Sequence, residues 1–422
     1  MKLEEKAVEA LKEPICNNCL GRIVAGLLSG FSNEERGKII RSYVAFLLDS
    51  GEKIDVYLNN FYGFKFRNLK VTLQKPEKCK ICKNFFREKL EEKANEILKK
   101  VDEIEFATFQ IGTIPSNEMS NAEEKLINEI GADYSEPIKT EINREIGKII
   151  ERKSKKIFSA KNPDITIILN LQNNLIRTQI RSLYVFGKYQ KLKRGIPQTK
   201  WICHNCNGKG CIVCKGTGKL YKTSVQEEIE KSFLKAVDTR KSKFHGAGRE
   251  DIDARNLDWR PFVIELVKPM KRKIDLKKIQ KIANKNKKVK IKNLKIVDKE
   301  AVNKIKFAKI DKTYEAEVVF SKDIDKKKLK ELKKFKKIII MQQTPTRVVH
   351  RRANILRKRM LKQISWKVVG KRKIIFRIKG ESGLYIKELI TGDQGRTKPN
   401  ISEILNNKVK RISLDVVKIH SR

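Results

Sequence analysis

The chain has 422 residues, with 96 Lys plus Arg against 50 Asp plus Glu and a formal charge of +46. That excess is far beyond what solubility requires. A polyanionic partner is its simplest explanation, a lysine-rich proteome the bland one, and binding to such a partner should fall steeply with salt. No apolar run reaches the length of a membrane span, and Met1-Lys2-Leu3-Glu4-Glu5-Lys6 is a charged helix start without a signal-peptide stretch, so no membrane partner and a cytoplasmic location are expected.

The length allows about two to four domains. Residues 1–85 hold a short helical start, Cys16/Cys19, a helical segment through Arg41 to Leu48, and Cys79/Cys82 after the basic stretch around Tyr62 to Lys75. The spacing Phe86, Leu90, Ala94, Ile97, Val101 predicts one helical face, Glu105 to Ile111 a strand ended by Gly112, and Ile142, Ile146, Ile149, Ile150 a second helix. Asp164–Leu171 and Leu175–Ile180 read as a hairpin turning at Gln172-Asn173-Asn174. After a cysteine-rich connector at 199–222, the lysine-rich stretch Asp275–Lys312 reads as a solvated helix-and-strand insertion facing RNA. Strands are expected at Glu317–Phe320, Ile338–Met341 and Ile374–Ile378, interleaved with helices.

All eight cysteines fall in Cys-x-x-Cys pairs: Cys16/Cys19, Cys79/Cys82, Cys203/Cys206 and Cys211/Cys214. Each pair bends the backbone into a knuckle, and two knuckles complete the tetrahedron that zinc prefers, so two closed, structural Zn2+ sites are expected. An iron–sulfur cluster takes the same four thiolates. Cys203 to Gly218 is a tandem Cys-x-x-Cys-x-Gly-x-Gly repeat resembling the zinc units of DnaJ-type chaperones, with His204 as an exposed bystander. Spacing alone also allows Cys16/Cys19 to pair with a central knuckle.

His245-Gly246-Ala247-Gly248-Arg249-Glu250-Asp251-Ile252-Asp253-Ala254-Arg255 sets acids and arginines in a Gly-broken loop, and Pro261 then opens the apolar run Phe262–Val267. Glycines at 246 and 248 permit sharp turning and close approach to a ligand, so Arg249 and Asp251 should sit at a strand entrance. If the segment is extended, Asp253 points to the opposite side from Asp251.

This Gly-Arg-x-Asp loop resembles that of the pseudouridine synthases, and most closely the archaeal THUMP-containing branch that modifies the TΨC loop of tRNA. Supporting segments are Gly383–Ile390, Thr313–Val318, Arg411–Ile419, Gln343–Ala353 and Gly392–Asn400. The resemblance implies an isomerase of uridines 54 and 55 in tRNA numbering, with Asp251 as nucleophile, Lys387 as the cation holding it ionised, Tyr314 stacking on the base, and Leu414 walling the uracil pocket. It assigns substrate contacts to Arg249, Ile386, Arg347, Arg351 and Arg352, the last three to phosphates. It also implies Cys16, Cys19, Cys79 and Cys82 as one zinc site, tRNA as partner, no organic cofactor and a monomer. The expected fold is α+β: a zinc-tied segment (1–85), a THUMP-like RNA-binding domain (86–198), the zinc connector (199–222) and a catalytic domain (223–422) whose mixed sheet forms two subdomains around a cleft. Leu257–Arg260 departs from the family, which has a glycine-containing turn there. The rival reading is a non-catalytic tRNA-binding or RNA-chaperone protein. A THUMP-bearing methyltransferase or thiolase is weaker, because no Gly-rich nucleotide loop or adenylation motif is found.

Overall fold

The computed structural model describes residues 1–420 and resolves two compact units, Met1–Arg181 and Ser182–Arg422. In the first, β1 (Thr108–Ile114), β2 (Ile157–Phe158), β3 (Ile165–Asn170) and β4 (Leu175–Ile180) form a sheet in the order β2-β1-β3-β4. β1 and β3 are parallel and are linked through helices Asn117–Ile130 and Ile138–Ser154; β3 and β4 form the expected hairpin. Ile142, Ile146, Ile149 and Ile150 are buried together with Phe109, Ile111, Ile165, Ile167 and Leu169, as their helical and strand periods require. The same apolar cluster takes in Leu11, Leu20, Val44, Phe61 and Phe85, so residues 1–85 are one wall of this core.

Two glycines set the geometry of the N-terminal helices. A Cβ on Gly21 would lie 1.8 Å from the Asn33 carbonyl oxygen, and one on Gly37 would lie 1.9 Å from that of Asn17. Helices Asn17–Arg22 and Asn33–Asp49 therefore meet backbone to backbone. Arg41 reinforces the crossing by donating to Asn17 Oδ1 (2.8 Å) and to the carbonyls of Asn60 and Ile15 (2.6 Å each), which fixes the entry to Cys16.

The second unit is built on a mixed ten-stranded sheet. Its strands are β5 (Leu183–Lys191), β6 (Lys241–Gly246), β7 (Arg255–Val267), β8 (Val289–Val297), β9 (Asp311–Phe320), β10 (Ile338–Gln343), β11 (Leu356–Gly370), β12 (Lys373–Gly380), β13 (Thr397–Lys398) and β14 (Val409–His420). They run β13-β10-β11-β12-β9-β14-β7-β5-β8, with β6 also on β7. Two apolar clusters occupy the two halves, one including Phe320, Phe376 and Leu389 and the other Phe233, Phe262 and Leu266. The halves join where β14 and β7 run parallel, Asp415 opposite Arg255 and Val416 opposite Asn256.

Four expectations change, the first being that β1 runs through Gly112 to Ile114 instead of ending at Gly112. The boundary placed at 198 falls at Arg181, because β5 pairs along its length with β7 and β8 of the second sheet. The lysine-rich stretch 275–312 is no solvated insertion: β8 is the edge strand beside β5, with Val289 and Ile291 buried and the intervening lysines turned away. Leu257–Arg260 is interior to β7 and makes no turn.

Gly21→Ala should weaken the first unit by about 3 kcal/mol, since the opposing atoms are backbone and cannot rotate away. Its melting, followed by circular dichroism, should drop by roughly 6–12 °C. Tryptophan fluorescence reports the second unit through Trp201, Trp259 and Trp366, so circular dichroism is the signal that reads this change. A circular-dichroism melt unchanged by Gly21→Ala would contradict the crossing as described.

Candidate active site

The loop between β6 and β7 carries Arg249, Glu250 and Asp251, and it is anchored from behind by charges that touch no solvent. Arg260 Nε lies 3.1 Å from Glu250 Oε2, both side chains 0% exposed. Tyr189 Oη donates to the same carboxylate at 3.0 Å, and Gln198 Nε2 reaches both Tyr189 Oη (2.8 Å) and the Gly248 carbonyl (2.9 Å). Arg260 also donates to the Ala247 carbonyl at 3.0 Å. Lys191, fully buried on β5, donates to the carbonyls of Asp251 (3.0 Å) and Ile252 (2.9 Å). Gly248 has φ +70°, a backbone conformation that a side chain would strain. Ala247, Gly248, Glu250, Asp251 and Ile252 are thus each held through their own atoms, and Asp251 is fixed before any ligand arrives.

In front of the loop lies a cavity of about 560 Å³, within the range that holds small ligands. Asp251 opens into it with Arg249, Tyr314, Ile386, Leu414 and Arg352. Tyr314 and Leu414 arrive from neighbouring strands, since β9 and β14 pair Ala316 with Leu414 and Tyr314 with Val416. Burial raises the Tyr314 phenol to about 12, so it keeps its proton at neutral pH.

The cations around Asp251 differ from the sequence reading. Arg347 Nη1 donates to Asp251 Oδ1 at 2.9 Å, while its Nε donates to the buried carboxylate of Glu388 at 2.7 Å. It was expected on phosphates; instead it bridges two acids of the site. Lys387 Nζ is 3.6 Å from Asp251 and 2.7 Å from Asp253. Asp253 was expected on the opposite side, but the chain turns at 251–254, with Ala254 N donating to the Asp251 carbonyl at 3.1 Å, and both acids face one lysine. At this exposure each pair contributes no more than about 1 kcal/mol, so these cations orient the carboxylate more than they stabilise the fold. Arg352 donates to Tyr385 Oη at 2.6 Å; the Arg351 side chain lies outside the described residues.

The cysteines gather into two clusters, Cys16, Cys19, Cys79 and Cys82, and Cys203, Cys206, Cys211 and Cys214, with the four sulfurs of each within 4.8 Å of one another. Tetrahedral thiolates at a zinc–sulfur distance of about 2.3 Å stand roughly 3.8 Å apart. The Cys203–Cys211 and Cys206–Cys214 separations are 3.8 Å, and Cys16–Cys82 is 3.5 Å, so both donor sets fit such an ion. Backbone amides of Gly210 and Gly218 donate to Cys206 and Cys214 sulfurs at 3.2 Å. A Cβ on Gly218 would meet the Gly208 carbonyl oxygen at 2.3 Å, and one on Gly210 that of Gly216 at 2.7 Å, which explains the glycines of the tandem repeat. The alternative pairing across the two regions is not the one formed.

Sequence reasoning brought Asp251, Tyr314, Leu414, Ile386, Arg249 and Arg352 to one cavity but missed Glu250, Arg260, Tyr189, Lys191, Glu388 and Trp201. Glu250 sat inside the motif unremarked. Lys191 and Tyr189 had only their alternation along β5 to mark them, and the groups they hold lie some sixty residues away.

The family model described as Pus10, C-terminal matches residues 184–420, and that of the archaeal Pus10 THUMP domain matches residues 93–170. A protein named tRNA pseudouridine synthase Pus10 from Methanothrix thermoacetophila is 38% identical over 414 residues, spanning 96% of this chain and 92% of its own. Its namesake from Methanocaldococcus jannaschii is 39% identical over 425 residues, spanning 97% and 92%. That from Archaeoglobus fulgidus is 40% identical over 346 residues, spanning 81% and 95%.

Glu250→Gln should cost about 3–5 kcal/mol in urea unfolding followed by tryptophan fluorescence, because it strands the Arg260 charge in the interior. A loss under 1 kcal/mol would mean that water reaches the pair. Burial also pushes the Lys191 amine down to about 8. Between that value and its unfolded value near 10.4, the unfolded chain holds a proton that the folded chain has released, so this group makes stability rise with pH across that window and leaves it flat below. Measured from pH 7 to 10.5, the unfolding free energy of the parent should therefore gain about 3 kcal/mol relative to Lys191→Met. A pH-independent difference would show that Lys191 is not desolvated.

Proposed function

The chain belongs to the Pus10 family of tRNA pseudouridine synthases, which are isomerases, and on that premise we propose that it converts uridines 54 and 55 of the TΨC loop to pseudouridine through Asp251. The observation that carries the assignment of Asp251 is its setting: a carboxylate on a loop pinned from behind by buried charge, opening into a cavity and met there by Arg347 and Lys387.

A uridine inside a folded RNA loop must be extruded before its sugar can be reached. In the proposed reaction Asp251 attacks C1′, the N1–C1′ bond breaks, and the uracil leaves with the electron pair on N1. The ring turns, C5 bonds to C1′ as the carboxylate departs, and the proton lost from C5 is balanced by the one gained at N1. Nothing is oxidised or reduced, and no organic cofactor takes part. Tyr314 stacks on the base and holds its own proton at Oη, while Leu414 and Ile386 give the ring an apolar wall on which to turn. Arg347 and Lys387 keep the two oxygens of Asp251 aimed at one point. Arg249 holds the flipped nucleotide and Arg352 contacts phosphate, consistent with the charge of +46.

Both thiolate clusters fit Zn2+ bound by four sulfurs, a closed arrangement that holds structure and leaves no open position for chemistry. Their residues keep to that role here. The extents of the N-terminal RNA-binding region and the C-terminal catalytic region follow the two units, and a cytoplasmic location suits a tRNA substrate. No helix among the described residues is long and apolar enough to cross a membrane.

Purified protein mixed with an unmodified tRNA transcript, without cofactor, should yield pseudouridine at both positions, and Asp251→Ala should lower the rate by about a thousandfold or more while still binding the RNA. Binding by both proteins with product from neither would favour the RNA-chaperone reading. Product at one position alone would correct the site assignment and leave the chemistry intact.

A further inference from the structure

Residues 199–222 contribute no side chain to the apolar clusters of the second unit. The order of this ribbon rests on its four thiolates, a bridge between Ile202 and Lys219, the Trp201 and Tyr221 rings packed edge to face at 5.5 Å, and Lys219 paired with Glu227 at 2.6 Å. Ile212 at its tip is 96% exposed. A segment this short without an apolar core is ordered by its metal, as in small metallo-domains. Trp201 opens the ribbon and, with Pro197, Gln198 and Thr199, lines the cavity that holds Asp251, Arg249 and Tyr314.

The ribbon is also charged in one sense only. Lys200, Lys209, Lys215 and Lys222 are exposed, and no Asp or Glu occurs from Thr199 to Gln226. An indole set among cations beside a cavity is the combination that binds unpaired nucleic acid: the cations follow the backbone, and the ring accepts the face of any base. Extruding one nucleotide costs its neighbour a stacking partner, and an aromatic ring at the cavity replaces that loss.

We propose that Trp201 stacks on a nucleotide adjacent to the uridine held at Asp251, and that the metal at Cys203, Cys206, Cys211 and Cys214 acts in RNA recognition by holding Trp201 at the cavity. This rests on reading the cavity as the RNA site. It makes the ribbon, which lies within the second unit, a working wall of the active site.

The test uses the full chain and an unmodified tRNA transcript. With Trp259 and Trp366 changed to Phe, Trp201 is the sole indole and its fluorescence should be quenched as the transcript binds. Trp201→Ala should raise both Kd and KM by roughly 5- to 150-fold, with kcat within about threefold of the parent. Trp201→Phe, which keeps a ring, should recover most of the loss. Cys214→Ser should remove one metal per chain by elemental analysis and raise Kd similarly, with no further rise when combined with Trp201→Ala. Absence of quenching, or an unchanged Kd for a Trp201→Ala protein that melts like the parent, would overturn the proposal. If the parent makes no pseudouridine, the active-site reading fails, while quenching and Kd still decide the role of Trp201.

Discussion

The buried ion pair between Glu250 and Arg260 is the constraint on which the candidate active site depends. Two fully desolvated charges 3.1 Å apart add little net stability, because their attraction mostly offsets the cost of leaving water. What they add is definition. Glu250 has one position in which Arg260 and Tyr189 both reach it, so its neighbour Asp251 inherits a fixed place in the chain. Lys191 completes the arrangement by gripping the backbone carbonyls on the far side of the loop. The Asp251 carboxylate stays partly exposed to solvent while the acid beside it in sequence is sealed in, and that contrast lets a flexible Gly-containing loop present a side chain with the rigidity of a strand.

The same division appears among the cations. Those behind the loop are buried and hold its backbone and the sealed Glu250; Arg347 and Lys387 in front are partly exposed and hold the other carboxylates. Arg347 joins Asp251 to Glu388, and Lys387 joins Asp251 to Asp253, so the front of the site is a chain of alternating charge within a strongly basic protein. Local neutralisation makes the Asp251 carboxylate compatible with a polyanionic substrate, for which the wider excess of Lys and Arg is suited.

Four-thiolate clusters that fit a metal ion stand in two different settings. In the N-terminal unit the thiolates of Cys16, Cys19, Cys79 and Cys82 lie against a large apolar core, and the glycine crossing and Arg41 position the first knuckle. In the ribbon there is no core to lean on, and interlocked glycines and thiolates carry the geometry alone. The first site secures a domain wall; the second carries Trp201 to a cavity.

Much of this protein was legible in its sequence. Periodicity located the helices around Ile142 and Leu90 and the β3–β4 hairpin, because apolar spacing directly encodes which face is buried. Cysteine spacing gave the knuckles, and local motifs marked Asp251, Tyr314, Lys387 and Leu414. What it could not supply were partners: that β5 belongs to the second sheet, that β8 is its edge, that Arg347 meets Asp251, and that Arg260 and Lys191 hold the loop. Sequence determined residue type and local conformation, since these depend on neighbours a few positions away. Which charge faces which, from Glu250 and Arg260 ten residues apart to Asp253 and Lys387 134 apart, was decided only when strand register and loop turns brought them together.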